Sequence, residues 1–160
     1  MKRPIELFMP PNMLKAKAGG GLGGIDMAAM KRAESALETL KTEFAAMMAD
    51  DIDALVAARA RHARAPGPRA RAALMRAAHD IKGQAATFRF PLAARVAGSL
   101  ARLAGEGPGG LPGPLIDAHV TAIQAIHRRN MQDENDAAAL ALCAELEAQV
   151  GEVLEAAPRT

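Results

Sequence analysis

Apolar residues recur along this chain at three- and four-residue spacing, in blocks separated by short runs of proline and glycine. That period marks helices that bury one face. The first block opens at Asp26, an N-cap with Ile25 and Met30 placed for a hydrophobic staple. It runs through Met30, Ala33, Leu37, Leu40, Phe44 and Met47 as one apolar stripe. Asp50 offers a second cap, so the continuation through Ile52, Leu55 and Val56 to about Arg64 reads either as a second helix or as one bent rod. Pro66-Gly67-Pro68 ends it. A segment from about Arg69 to Phe88 follows, with Leu74, Ala78, Ile81, Ala85 and Phe88 as its inward stripe. Proline suits a first helical turn and disfavours helix at the residue before it, so Phe90-Pro91 opens the next segment. Its stripe is Leu92, Val96, Leu100 and Leu103, with Gly105 placed to close it.

The glycine- and proline-rich stretch 105–113 is a loop, and with no lysine it does not read as a phosphate-binding one. It leads into a helix from Pro114 to about Arg129 with Leu115, Ile116, Val120, Ile123 and Ile126 inside. The last helix is expected to start near Asp133 or Glu134, whose charges suit an N-terminus, and to continue through Leu140, Cys143, Leu146, Val150 and Leu154. Valine, isoleucine and threonine never alternate as a strand requires. The pattern therefore predicts an all-α fold, an antiparallel up-down four-helix bundle with an accessory N-terminal helix or helices.

Residues 1–24 break the pattern. Pro4, Pro10 and Pro11 precede Gly19-Gly20-Gly21-Leu22-Gly23-Gly24, an irregular tail and flexible linker ahead of a bundle over 25–157. The tail carries an apolar cluster from Ile5 to Leu14 for which disorder or weak docking is expected. Lys2 and Arg3 are followed by too short an apolar run for a signal peptide, and no stretch reaches the roughly 20 apolar residues of a membrane span. A soluble, cytoplasmic protein with no membrane partner is expected.

Composition narrows the reading further. Half of the 160 residues are hydrophobic, many of them alanine, with four phenylalanines as the only aromatics, which favours closely packed helices. A net charge of +2 is too mild to call for nucleic acid. One cysteine, Cys143, excludes an internal disulfide framework and reads as a core thiol. No His/Cys/Asp/Glu spacing resembles a structural zinc site, so no metal and no cofactor is expected.

The chemistry gathers at Ala77-Ala78-His79-Asp80-Ile81-Lys82-Gly83-Gln84-Ala85-Ala86. His79 lies about 100° around the helix from Ala78, so it leaves the inward stripe. It joins the row Ala72, Met75, Arg76, Lys82, Gly83 and Ala86 on the flank of the buried face. An imidazole there is partly exposed, and a neutral imidazole nitrogen is a good nucleophile near neutral pH. Lys82 can balance the charge of an incoming phosphoryl group, and Gly83 leaves the ring accessible. Glycine inside a helix costs roughly 0.5–1 kcal/mol against alanine, and docking of another molecule is a reason to bear it.

This run resembles the active helix of histidine-containing phosphotransfer (HPt) domains, His-x-(Leu/Ile)-Lys-Gly followed by small residues. His79, Ile81, Lys82, Gly83, Ala85 and Ala86 match it. Gln84 stands where the family often has serine or alanine, and Arg89 where many members have a glycine that closes the helix. The resemblance implies that His79 is the phosphoacceptor, taking a phosphoryl group from the aspartate of one receiver domain and giving it to another. Lys82 would steady the group, Gly83 give clearance and Gln84 orient ring or phosphate, with Met75, Arg76 and Ala86 meeting the partner. It further implies a phosphoryl carrier with no enzyme activity of its own, Mg²⁺ on the receiver, and response-regulator receivers and a hybrid histidine kinase as partners of a monomer.

Two other readings compete. A histidine-kinase dimerisation helix also exposes a histidine before an acidic residue, but usually continues to threonine or asparagine and then proline, where Gly83 and Gln84 stand here. A helical adaptor or nucleic-acid-associated protein could use the basic 59–76 region, although aromatic stacking residues are scarce and no recognition helix stands out. His62, in that basic run, and His119 and His127 carry weaker signals than His79.

Overall fold

The computed structural model describes residues 26–157, and every regular element among them is a helix. Helix α1 spans Met27–Arg64, α2 Pro68–Thr87, α3 Pro91–Glu106, α4 Gly113–Arg128 and α5 Ala137–Ala156. The reading of residues 1–24, and Ile25 of the staple, lie outside the described residues. Contacts divide the chain into two units, one ending at Thr39 and the other beginning at Leu40. In the first, the opening turns of α1 start at Asp26, whose carboxylate accepts the Ala28 N–H at 3.0 Å, and Met27, Met30 and Leu37 are exposed. The second is the bundle.

Within the bundle α3 is central, packing against α2, α4 and α5, with α4 also against α5. Leu74, Ala78, Ile81 and Ala85 of α2 meet Leu92, Val96, Leu100 and Leu103 of α3 in the core, joined by Leu115, Ile116, Ile123 and Ile126 of α4 and Cys143, Leu146 and Val150 of α5. Alanine at 78, 85, 93 and 97, all buried, lets α2 and α3 approach closely.

Three arginines fix the helices to one another. Arg59 grips Asp117 with two hydrogen bonds of 2.6 and 2.8 Å, tying α1 to α4 and holding the Asp117 carboxyl below its usual range. Arg71 donates to the carbonyls of Ala104, Gly107 and Pro108, each at 2.6 Å, and so satisfies the end of α3 that a helix leaves bare. Arg95 and Glu147 form a bidentate pair at 2.6 Å between α3 and α5.

Three expectations need correcting. The stripe through Met30, Leu37, Leu40 and Met47 is exposed, and Phe44 is half-buried against Phe88 with ring centroids 4.1 Å apart. The bundle takes the neighbouring register instead, Met48, Ile52, Leu55, Ala58 and His62, and leaves Val56 exposed. Nothing between Met27 and Arg64 breaks a helix, so Asp50 sits inside one continuous α1. Helix α3 passes through Gly105, which lies under the Met75 sulfur, and ends where Gly107 donates to Leu103 O at 2.9 Å. The last helix starts at Ala137, not Asp133: Asp133 spends its carboxylate on the Asn135 N–H in a local turn, and Asp136 caps by accepting from Ala139 at 2.9 Å.

Candidate functional site

Helix α2 positions the candidate site. Gly67 and Pro68 start it, and its buried stripe pins one face to α3, so the orientation of every other residue on it is set. Met75, Arg76, His79, Lys82, Gly83 and Ala86 all lie exposed on the flank, and Gln84 is half-buried. His79 makes no hydrogen bond or ion pair among the described residues, leaving both ring nitrogens open to solvent.

On the α1 side, His79, Asp80, Gly83 and Gln84 share a shallow depression with Asp51. A β-carbon at Gly83 would meet nothing within 4 Å, so no packing inside the protein calls for glycine there. Asp51 Oδ2 and Gln84 Oε1 are both buried without a hydrogen-bond partner. Both are acceptors, so the depression is short of donors. Burial, then the carboxylates of Asp80 and Asp50, push the Asp51 carboxyl up from the usual 3.8.

Lys82 takes the other side. Its stem crosses α3 at Gly98, where a β-carbon would lie 3.4 Å from Lys82 Cδ, and it lines a hollow with Arg95, Arg102 and Glu147. The structure therefore brings His79, Gly83 and Gln84 together in one depression and sets Lys82 on the opposite flank of the imidazole. Gln84 makes no hydrogen bond to the ring. Met75 leans toward the end of α3 at Gly105, Arg76 lines a cleft with Asp51 and Arg61, and Ala86 faces Arg89 and Asp133.

Asp51 and Gly98 were not picked out from the sequence. Asp51 belongs to an acidic run on α1 whose register toward α2 has no local signal. Gly98, in the small-residue run Ala97-Gly98-Ser99, carried a hint of close approach. Arg89 departs from the family pattern in a way the backbone makes plain: its φ is +64°, the left-handed region that favours glycine.

Among the described residues, no group of three or more His, Cys, Asp or Glu is arranged to hold a metal ion, and no helix is long and apolar enough to cross a membrane. The bundle carries an exposed imidazole on helix α2. A family model, the Hpt domain, matches residues 39–158, well over half of the chain, and the chain belongs to the HPt family. No curated protein and no solved structure matches it. Members of the family carry phosphoryl groups on histidine in two-component phosphorelays, where they interact with receiver domains and kinases.

Proposed function

We propose that His79 is the phosphoacceptor, relaying a phosphoryl group between receiver-domain aspartates. The observation that carries this reading is an exposed imidazole with free nitrogens beside Gly83, a helical glycine that nothing inside the protein requires. An unprotonated ring nitrogen gives its lone pair to phosphorus as the P–O bond to the donor aspartate breaks and the carboxylate leaves. The reverse step, on another receiver, returns the imidazole. Such in-line transfer depends on positioning and charge stabilisation, with Mg²⁺ and most of the machinery on the receiver. Lys82 approaches the phosphoryl oxygens from the α3 side as a point charge. Gly83 gives the receiver clearance. Gln84 and Asp51 line the depression beside the ring, and Met75, Arg76 and Ala86 flank the contact. The chain acts as a carrier with no catalysis of its own, working as a cytoplasmic monomer charged by a hybrid kinase.

Incubation with a phosphorylated receiver, followed by assay of acid-labile phosphate, tests this. The parent should acquire the label and His79→Ala should not, with its circular dichroism unchanged because the residue lies off the core. Undiminished label on the variant would move the acceptor elsewhere.

A further inference from the structure

The six arginines between positions 59 and 76 divide into two kinds. Arg59 and Arg71 are committed to internal hydrogen bonds. Arg61, Arg64, Arg69 and Arg76 make no hydrogen bond or ion pair among the described residues, and together they ring a groove of about 710 Å³ at the α1–α2 turn. The groove is floored by small apolar side chains such as Ala65, Pro68 and Ala73, and no carboxylate lines it. Through Arg61, Ala73 and Arg76 it runs into a cleft reaching Asp51 and Asp80, and from there into the depression at His79. One furrow between α1 and α2 thus passes from a cationic end to the imidazole.

We propose that the cationic end of this furrow binds an acidic segment of a partner protein that also carries apolar side chains. Four guanidinium groups that form no ion pair, around a groove that no carboxylate lines, hold a positive potential that a carboxylate-bearing chain relieves, and their planar forks suit bidentate contacts to carboxylates. The apolar floor selects among anions. A nucleic-acid backbone would leave it unused, and no aromatic residue lines it to stack a base. A bilayer surface needs large apolar residues to insert, whereas the apolar lining here is alanine, proline and glycine. The chain's own first 25 residues carry Lys2, Arg3, Lys15 and Lys17 against a single acid, Glu6, and do not complement it. The proposal goes beyond phosphotransfer and uses no chemistry of His79.

The test is an amide chemical-shift titration of the isotope-labelled full chain with a short peptide alternating glutamate and leucine. Shifts are expected to centre on residues 61–76, to weaken with added salt, and to fall at least about fivefold in affinity for Arg61→Glu/Arg64→Glu. Arg129→Glu, an exposed arginine at the far end of α4, should bind as the parent does. A glutamine–leucine peptide should bind far more weakly. Equal binding of the two peptides, shifts centred elsewhere, or no shifts would overturn the proposal. So would tighter binding of duplex DNA or of phosphatidylglycerol vesicles at the same arginines, or concentration-dependent self-association through the groove. None of these outcomes bears on whether His79 carries phosphate.

Discussion

His79 and His119 are the same side chain put to opposite uses. His119, on α4, is fully buried with both ring nitrogens engaged: Nδ1 lies 2.7 Å from Leu115 O and Nε2 3.0 Å from Ser99 Oγ. A carbonyl can only accept, so Nδ1 carries the proton and Nε2 accepts from the serine hydroxyl. Burial pushes its pKa down from the usual 6.5. His79, on α2, is exposed and uncommitted. A buried imidazole with both nitrogens bonded joins helices and cannot attack anything. An exposed one contributes nothing to packing and is free to react. Location against the helix stripe decides which.

The largest effect should come from breaking the buried member. His119→Leu removes both partners' bonds, leaves the Ser99 hydroxyl unpaired in the core and misfits the site, which should cost about 2–4 kcal/mol in urea unfolding. His79→Leu at its exposed site should change stability by less than about 0.5 kcal/mol. Equal losses would erase the distinction.

Acid tests the buried member without a large change in shape. His119 resists protonation in the fold, and burial together with Arg59 and Arg71 also lowers His62. Below pH 6.5 the unfolded chain binds protons that these two refuse, so stability should be full above 6.5 and decline as pH falls below it, toward their depressed folded values. The decline should shrink in His119→Leu relative to its own neutral-pH stability and persist in His79→Leu. Asp51 has the opposite sign: with its folded pKa raised above 3.8, its contribution is present at low pH and is lost as pH rises through the folded value.

Much of this contrast was open to a reader of the sequence, and the part that was not has a physical cause. The stripe Leu74, Ala78, Ile81 and Ala85 shows that His79 lies off the buried face, because period alone fixes directions around one helix. The same logic placed Leu115, Ile116 and Ile123 inside, yet His119, in register with them, did not register as core because its serine partner comes from another helix. Tertiary pairing also chose Met48 over Met47 in α1, and it brought Asp51 and Gly98 to either side of the imidazole. What depends on a neighbour is not written in the period of a single helix.

A smaller effect tests the cation beside the exposed histidine. The Lys82 stem rests across Gly98, so Gly98→Leu should push it off its path while Gly98→Ala, 3.4 Å from Lys82 Cδ, should be accommodated. Transfer to His79 should slow several-fold in the leucine variant, on the order of 1 kcal/mol in the barrier, and hardly at all in the alanine variant. Equal rates in both variants would show that the lysine finds the phosphoryl group from any starting position. The opposed flanks of α2 would then have no bearing on the chemistry.

The smallest effect lies at the ends of the two helices that carry these histidines. Each closes on a residue with positive φ, Arg89 at +64° after α2 and Asn130 at +50° after α4. The geometry is the same: the residue after each donates five positions back, Phe90 N–H to Ala85 O at 2.9 Å and Met131 N–H to Ile126 O at 3.0 Å. Asparagine tolerates this conformation, whereas an arginine held there is strained by about 1 kcal/mol. Arg89→Gly removes that strain but gives the unfolded chain more freedom, so a net gain of about 0.5 kcal/mol is expected, a rise of one or two degrees in melting temperature. Asn130→Gly should gain less. Arg89 also shares a hollow with Asp133 and Glu134, so Arg89→Asn is the companion that removes the charge while keeping a side chain suited to the backbone. If glycine and asparagine both stabilise, backbone strain is the cause. If both destabilise, the arginine is held there by those carboxylates, and the helix that presents His79 is closed by charge where the helix that buries His119 is closed by its backbone.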